Sequence, residues 1–172
     1  MKTYIFKVNK NNYYLNIIYC SIDINDIENY LKRIENLKNS KNKNIELIFI
    51  PNKKIYNLKH LLWGLFIAKN KFLEQINISK SLWIESILIF NYTDQINKIQ
   101  EEWYLQEGVN KNIFFILLTK EKINKKQITE IKEKLNIKEK DSEKIKFNTK
   151  QFMDFYKVTK PDIENKILEK IS

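Results

Sequence analysis

Polar residues inside two apolar segments are the first places in this chain where chemistry could reside. The segments, Leu58 to Lys69 and Ser81 to Phe90, are predicted helices that are apolar round most of their circumference, so both should lie in the core. A buried polar or charged group costs free energy unless it is hydrogen-bonded or paired. Four residues therefore need partners in the core: Lys59, His60, Ser81 and Glu85.

Glu85 is the acid whose surroundings best suit acid–base chemistry, because Trp83, Ile84 and Ile87 would shield it from water. Such a role needs a second polar group in an open cleft, and the sequence names none. We therefore predict a structural role, in which Glu85 accepts hydrogen bonds from the loop backbone or from polar neighbours. The candidate neighbours are Lys59, His60 and Ser81.

Other active-site patterns are missing from the sequence. Gly64 and Gly108 are too far apart to form a phosphate-binding loop, which needs clustered glycines. One histidine and one cysteine do not make a zinc site of the usual kind, and no spacing matches a Ser-His-Asp or Cys-His signature. We therefore predict no catalytic residue, no bound metal and no cofactor.

The chain carries a strong positive charge. Its formal net charge is +10 at pH 7 and its sequence pI is ≈ 9.4, which suggests a polyanionic partner, with nucleic acid first. An A/T-rich coding sequence would also enrich lysine, so charge alone leaves RNA binding undecided. Because Arg33 is the only arginine, base reading by arginine forks is nearly excluded.

Length and composition favour one cytoplasmic domain. The 172 residues, of which 43% are hydrophobic, suffice for one well-buried core, and we predict a single domain over residues 1–172. Cys20 is the sole cysteine, and the start Met1 to Tyr4 lacks the apolar core of a signal peptide. The longest apolar runs fall well short of the ~18 residues that cross a bilayer. We therefore expect a cytoplasmic protein that does not span a membrane.

The first half of the chain alternates between strand and helix patterns. The predicted elements are a β-hairpin of Tyr4 to Val8 and Tyr13 to Cys20, an amphipathic helix from Ile24 to Leu37, and a buried strand from Ile45 to Ile50. Asp23 is the expected N-cap of the helix, which should end in the polar run 39–44. Pro51 should halt the strand, because it has no N–H for a central ladder.

The second half continues with helices and short strands. In order, these are a helix from Gln95 to Tyr104, a strand from Ile113 to Leu118, a helix carrying Ile123, Ile128, Ile131 and Leu135, a charged loop from Lys138 to Glu143, an edge strand from Lys144 to Phe147, and two helices near Phe152 to Tyr156 and after Thr159. Gly108 is expected to supply a positive φ before the strand. The whole pattern predicts an α+β fold, with several helices packed on a small mixed or antiparallel sheet.

The two apolar helices also carry a family pattern. Lys59-His60 opens a helix, Ala68-Lys69 follows nine and ten residues later, and a loop then leads to Ser81-x-x-x-Glu85 and an apolar run. This pattern resembles the small regulatory subunit of the KEOPS complex, a family also known as the binding partner of the p53-related protein kinase. The resemblance extends from about Ile45 to Leu118.

The resemblance implies a non-catalytic subunit of the complex that transfers a threonylcarbamoyl group to the adenosine beside the tRNA anticodon. In that family the subunit binds and stimulates a kinase-like ATPase, and archaeal members recruit tRNA through its CCA end. On this basis the candidate RNA-binding residues are Lys59, His60, Lys69, Lys71 and Lys80. The candidate contacts to the ATPase subunit are Ile163, Ile167, Leu168 and Ile171, which form an apolar stripe on the terminal helix.

Two other functions remain open. One is an RNA-processing enzyme that uses carboxylates and lysines, and the other is a basic RNA-binding adaptor unrelated to KEOPS. Asp94, in the turn after Phe90, departs from the family pattern. Its carboxylate would repel phosphate if that turn faced RNA. The terminal stripe also has a second interpretation, in which it covers the protein's own sheet.

Overall fold

The fold is built on a five-stranded antiparallel sheet, which a computed structural model describes at residues 1–8, 11–39, 45–99, 101–141, 145 and 147. The strands are β1 (Lys2–Val8), β2 (Asn11–Ile24), β3 (Ile45–Pro51), β4 (Gly108–Thr119) and β5 (Ile137–Glu139). Their order is β1-β2-β4-β3, and β5 pairs with β2 beyond the end of β1.

Four α-helices pack against this sheet in the described residues. They are α1 (Ile27–Asn39), α2 (Leu58–Leu73), α3 (Leu82–Phe90) and α4 (Lys125–Lys134). Short 3₁₀ turns lie at Asn52–Lys54, Ile96–Lys98 and Glu101–Trp103. The predicted α+β class is therefore confirmed. Of the two predicted kinds of sheet, mixed and antiparallel, the structure has the antiparallel one.

Helices cover both faces of the sheet. Phe6 of β1 lies opposite Tyr13 of β2, and its ring packs edge-on against Phe66 of α2 at 6.2 Å between centroids. On the other face, Tyr30 of α1 packs against Phe49 of β3 at 6.4 Å. Because alternate residues of a strand point to opposite faces, the central strands are buried on both sides. Their long apolar runs follow from that position.

The junction between β2 and α1 differs from the prediction. β2 continues to Ile24, since Asp23 pairs with Val109 and Ile24 pairs with Gly108 of β4. The N-cap is therefore Asp26, whose carboxylate accepts the Asn29 N–H at 2.9 Å, and the prediction of Asp23 was wrong. Pairing with β4 outweighed the helical spacing of the apolar residues.

The segment after α3 also departs from the prediction. The helix predicted from Gln95 to Tyr104 is replaced by two 3₁₀ turns, because Ile99 adopts an extended conformation between them (φ −72, ψ 120). Of the apolar stripe predicted on this helix, Ile99 and Trp103 are buried, whereas Ile96 is exposed. Gly108 has the predicted positive φ of 87°, although it already begins β4.

The chain beyond α4 was predicted least well. Residues 138–139 belong to β5 and not to a charged loop, because β1 leaves the outer edge of β2 free at Cys20 to Ile22. Of the predicted strand at 144–147, the structure describes only Ile145 and Phe147, which pack against the core and form no strand. Both predicted helices after residue 150 lie outside the described residues.

The two apolar helices pack tightly against each other through Gly64. A Cβ at this position of α2 would overlap the ring of Phe90 on α3, so only glycine allows the observed approach. α3 is buried along most of its length, as predicted. α2 is buried on one side, and its side chains Leu62 and Trp63 are half-buried, so the prediction that α2 lies in the core holds for that side only.

Candidate functional site: a lysine-lined cleft

A polar cleft of ≈ 430 Å³ opens at the end of the sheet where β3 begins and β4 ends. We call it the lysine cleft. Its lining residues are Tyr13, Lys38, Asn39, Ile45, Glu46, Lys69, Lys80, Leu118, Thr119 and Lys120. Two of the five residues predicted to bind RNA, Lys69 and Lys80, belong to this set.

Each lysine of the cleft comes from a different element. Lys38 lies in the last turn of α1, Lys69 is in the second half of α2, Lys80 is in the loop before α3, and Lys120 directly follows β4. Pairing of β3 with β4 brings the start of one strand beside the end of the other. Glu46 of β3 lies opposite Leu118 of β4, and both residues line the cleft. Residues distant in sequence are thus brought to one end of the sheet.

Charge in the cleft is unbalanced. Among the described residues that line it, four lysines stand against one glutamate, which gives three surplus positive charges at neutral pH. The carboxylate of Glu46 lies 3.4 Å from the ammonium group of Lys38 and belongs to the cleft itself. A concave surface with surplus positive charge attracts anions.

Lys69 is partly buried where it lines the cleft. Its Nζ sits 4.8 Å from the centroid of the Tyr13 ring, in a cation–π contact. Burial lowers the pKa of Lys69, an effect that the charge of Glu46 opposes and that of Lys120 reinforces. A bound anion would stabilise this partly desolvated cation.

The Tyr13 ring is not a stacking surface. The residue is only 2% exposed, and the side chain of Lys69 lies over its ring. Tyr13 is the only aromatic residue among the described residues that line the cleft. Base stacking in nucleic-acid sites requires an accessible aromatic face, which these lining residues do not supply.

A second charged group, the Glu85 cluster, consists of Glu85, Lys71 and the backbone of Ile78 and Ser79. Glu85 is fully buried, and its carboxylate accepts the N–H groups of Ile78 and Ser79, each at 2.9 Å. Lys71 donates to the same carboxylate at 2.8 Å. The predicted acceptance of loop N–H groups is therefore found, but the charged partner is Lys71 and not Lys59, His60 or Ser81.

These contacts change the interpretation of two predicted residues. Lys71 was a candidate for RNA binding, but its ammonium group is held by Glu85, so it adds little free charge to the surface. Ser81 is the N-cap of α3 and accepts the N–H of Ile84 at 3.5 Å. It is only partly buried, so its predicted structural role is that of a cap at the rim of the core.

His60 lies inside the core and cannot meet RNA. It is 1% exposed, and its Nδ1 accepts the backbone N–H of Tyr56 at 3.2 Å. Burial lowers the pKa of His60 to about 4, so the imidazole is neutral at physiological pH. The prediction of an RNA contact at His60 was therefore wrong, because the side chain is inaccessible.

The other predicted residues lie away from the cleft or outside the described part. Lys59 is exposed in the first turn of α2, about 15 Å along the helix from Lys69. The candidate ATPase contacts lie outside the described residues; they are Ile163, Ile167, Leu168 and Ile171. Asp94 is exposed after the C-terminal end of α3, whereas Lys80 precedes the N-terminal end.

Two residues of the cleft, Lys38 and Lys120, were missed at the sequence level. Lys38 occupies the last turn of a helix, where cations favour the helix dipole, and Lys120 follows the end of a strand. Neither position distinguishes them from the many other lysines of the chain. Only the pairing of β3 with β4 brings them together.

The remaining reactive groups and cavities assemble no catalytic set in the described residues. Cys20 is buried, and burial raises its pKa to about 12, so the thiol stays protonated. A groove of ≈ 340 Å³ between α1 and α4 carries Arg33, Glu130 and Lys134. Across the described ranges, no group of three or more His, Cys, Asp or Glu could hold a metal ion, and no helix is long and apolar enough to cross a bilayer.

Comparison with known proteins adds no relative. No protein-family model matches the chain, and no curated protein matches it.

Proposed function

We propose that this protein is a non-catalytic subunit of a KEOPS-type assembly that modifies tRNA in the cytoplasm. In this role it binds and stimulates a kinase-like ATPase and recruits tRNA through its single-stranded CCA end. The lysine cleft carries the RNA part of the proposal, because it joins Lys69 and Lys80 to Lys38 and Lys120 around one end of the sheet. A cluster of lysines with surplus positive charge is the usual electrostatic footprint of a nucleic-acid site.

The residues of the family pattern support a scaffold role. The backbone N–H of His60 is capped by the side chain of Asn57 at 2.9 Å, Ala68 is fully buried, and Glu85 fixes the loop between α2 and α3. These residues cap α2, fill the core and fix the loop before α3. His60, Ala68 and Glu85 of the family pattern therefore occupy structural positions, whereas Lys59 is exposed and Lys69 lines the lysine cleft.

The RNA part is tested by equilibrium binding of tRNA with an intact CCA end and tRNA from which these nucleotides are trimmed. We expect trimming to remove most of the affinity, and we expect log K to fall with log salt by about 0.7 per phosphate contacted. Equal affinity for the two tRNAs would leave only nonspecific charge attraction and would overturn recruitment through the CCA end.

The ATPase part is tested by capture of the kinase-like ATPase on the immobilised full chain. Ile171→Asp places a charge on the predicted apolar stripe, so it should weaken capture strongly. Ser172→Asp is the matched control, because it adds the same charge one residue later, off the stripe. Failure of the unmodified protein to capture the ATPase would overturn the family assignment, whereas equal capture by both variants would overturn the predicted contact.

The non-catalytic part is tested by incubating the purified protein with tRNA and magnesium. We expect intact tRNA after prolonged incubation. Cleavage that disappears in Glu46→Gln, the variant of the carboxylate in the lysine cleft, would instead identify an RNA-processing enzyme.

A further inference from the structure

We infer that the lysine cleft binds backbone phosphates of single-stranded RNA without reading the bases, and that Glu46 is a built-in competitor of those phosphates. This inference rests on the proposed tRNA-recruiting function and assigns its RNA contact to one place. It also predicts that any preference for particular bases resides elsewhere on the protein.

The chemistry of the lining favours phosphate. A lysine ammonium group is a compact point charge that neutralises a phosphate from any direction, whereas arginine forks select planar, bidentate partners. The cleft gathers four such groups and no arginine. Its ≈ 430 Å³ falls within the range of sites that hold small ligands, which suits a short stretch of backbone.

The same lining provides little for recognising a base. The ring of Tyr13 is buried beneath Lys69, so it offers no face for stacking. The hydroxyl of Thr119 is engaged with the carbonyl of Glu121 at 2.7 Å. The cleft should therefore respond to charge and hardly to the identity of the base.

The carboxylate of Glu46 is itself an anion inside the cleft. Its carboxylate lies 3.4 Å from Lys38, and its charge also acts on Lys69, whose pKa it raises. A phosphate entering the cleft must share these cations with the carboxylate and is repelled by it. Removing the charge of Glu46 should therefore strengthen RNA binding, an effect opposite to that of removing a lysine.

The test compares matched variants by fluorescence anisotropy with labelled oligouridylate and oligoadenylate of equal length. Lys120→Gln should weaken binding about three- to tenfold, the size of one charge-assisted contact, and should reduce the salt slope by about 0.7. Lys111→Gln is the control, because it is also exposed but lies about 30 Å away along β4, and it should bind nearly as the unmodified protein does.

Glu46→Gln should change affinity in the opposite direction, by a similar factor, for both oligonucleotides. Equal effects of Lys120→Gln and Lys111→Gln would overturn the site. A loss confined to one base would overturn phosphate-only binding, and oligoglutamate that binds as tightly as RNA would point to an acidic protein partner instead. Unfolding midpoints of all variants establish that each is folded.

The outcomes separate this inference from the proposed function. If the protein captures the ATPase and binds tRNA but the cleft variants bind RNA normally, only the assignment to the lysine cleft fails. If the cleft variants behave as expected but the ATPase is not captured, only the KEOPS assignment fails.

Discussion

The Glu85 cluster and the lysine cleft both use lysines of α2, but they treat charge in opposite ways. In the Glu85 cluster one carboxylate receives one ammonium group and two backbone N–H groups, so its charge is satisfied inside the protein. Among the described residues that line the lysine cleft, four lysines accompany the single carboxylate of Glu46, which contacts Lys38. The balance of charge, rather than the presence of lysine, separates a structural ion pair from a surface that attracts a ligand.

Lys69 and Lys71 show how close the two environments are. Residues two positions apart on a helix point about 200° apart, so they do not share a face. Lys69 consequently turns to Tyr13 and the cleft, whereas Lys71 turns to Glu85. One helix therefore supplies Lys69 to the lysine cleft and Lys71 to a buried carboxylate.

The largest expected effect comes from removing the carboxylate of the Glu85 cluster. Glu85→Ala should lower the free energy of unfolding by about 3–5 kcal/mol, because it leaves Lys71 and the N–H groups of Ile78 and Ser79 without their acceptor. Urea unfolding measures the change. Glu130→Ala, at an exposed position of α4, should change stability by at most about 0.5 kcal/mol.

Glu85→Gln extends this test, because it keeps acceptor capacity for the loop N–H groups and removes only the charge. It should lose less stability than Glu85→Ala. If Glu85→Ala were as stable as Glu130→Ala, the cluster would not be a structural ion pair, and the contrast with the cleft would disappear.

The second prediction concerns the apolar core at the other end of α2, where His60 packs against Phe90 and is uncharged. Its pKa is about 4 in the folded protein against 6.5 ordinarily, so between these values the unfolded chain binds a proton that the folded protein does not. Stability is therefore lost as pH falls from about 6.5 towards 4, by roughly 1.4 kcal/mol per pH unit.

Comparison with His60→Asn isolates this effect from the titration of carboxylates. The asparagine oxygen can accept the Tyr56 N–H in place of Nδ1, but it does not titrate. Chemical unfolding at several pH values should give a shallower slope for the variant. Identical slopes would show that His60 does not titrate as its burial requires.

The third prediction uses Gly64 to separate α2 from α3, which hold the Glu85 loop between them. Alanine usually favours a helix over glycine by up to about 1 kcal/mol, but here its Cβ would overlap Phe90. Gly64→Ala should therefore destabilise the protein by about 1–3 kcal/mol. Phe90→Leu should relieve part of this loss in the double variant, and strict additivity of the two changes would exclude the steric explanation.

Some of these features follow from the sequence and others do not. Apolar spacing identified α2, α3 and the strands around them, because the apolar residues of a buried face recur in the sequence at the period of the helix or strand. It misplaced the cap at Asp23, because the pairing of Asp23 with Val109 is a contact between distant residues. Local pattern therefore predicted which elements exist better than where each one ends.

The candidate site was predicted only in part for the same reason. Lys69 and Lys80 were named on the basis of the family resemblance, whereas Lys38 and Lys120 line the cleft because β3 pairs with β4. His60 was misjudged as an RNA contact, because its side chain turns inward to the Tyr56 backbone. A sequence gives the number of charges but not which of them are already paired.

The smallest expected effect on stability comes from removing one positive charge of the lysine cleft. Lys120 and Lys69 are like charges whose interaction lowers the pKa of Lys69, so Lys120→Gln should raise stability slightly, by about 0.2–0.5 kcal/mol at low salt. Added salt should erase the gain, because the groups are partly exposed. Thermal unfolding at two salt concentrations, with Lys111→Gln as control, measures this. A loss of stability in Lys120→Gln would mean that its charge is already neutralised within the protein, and the lysine cleft would then resemble the Glu85 cluster rather than a site awaiting an anion.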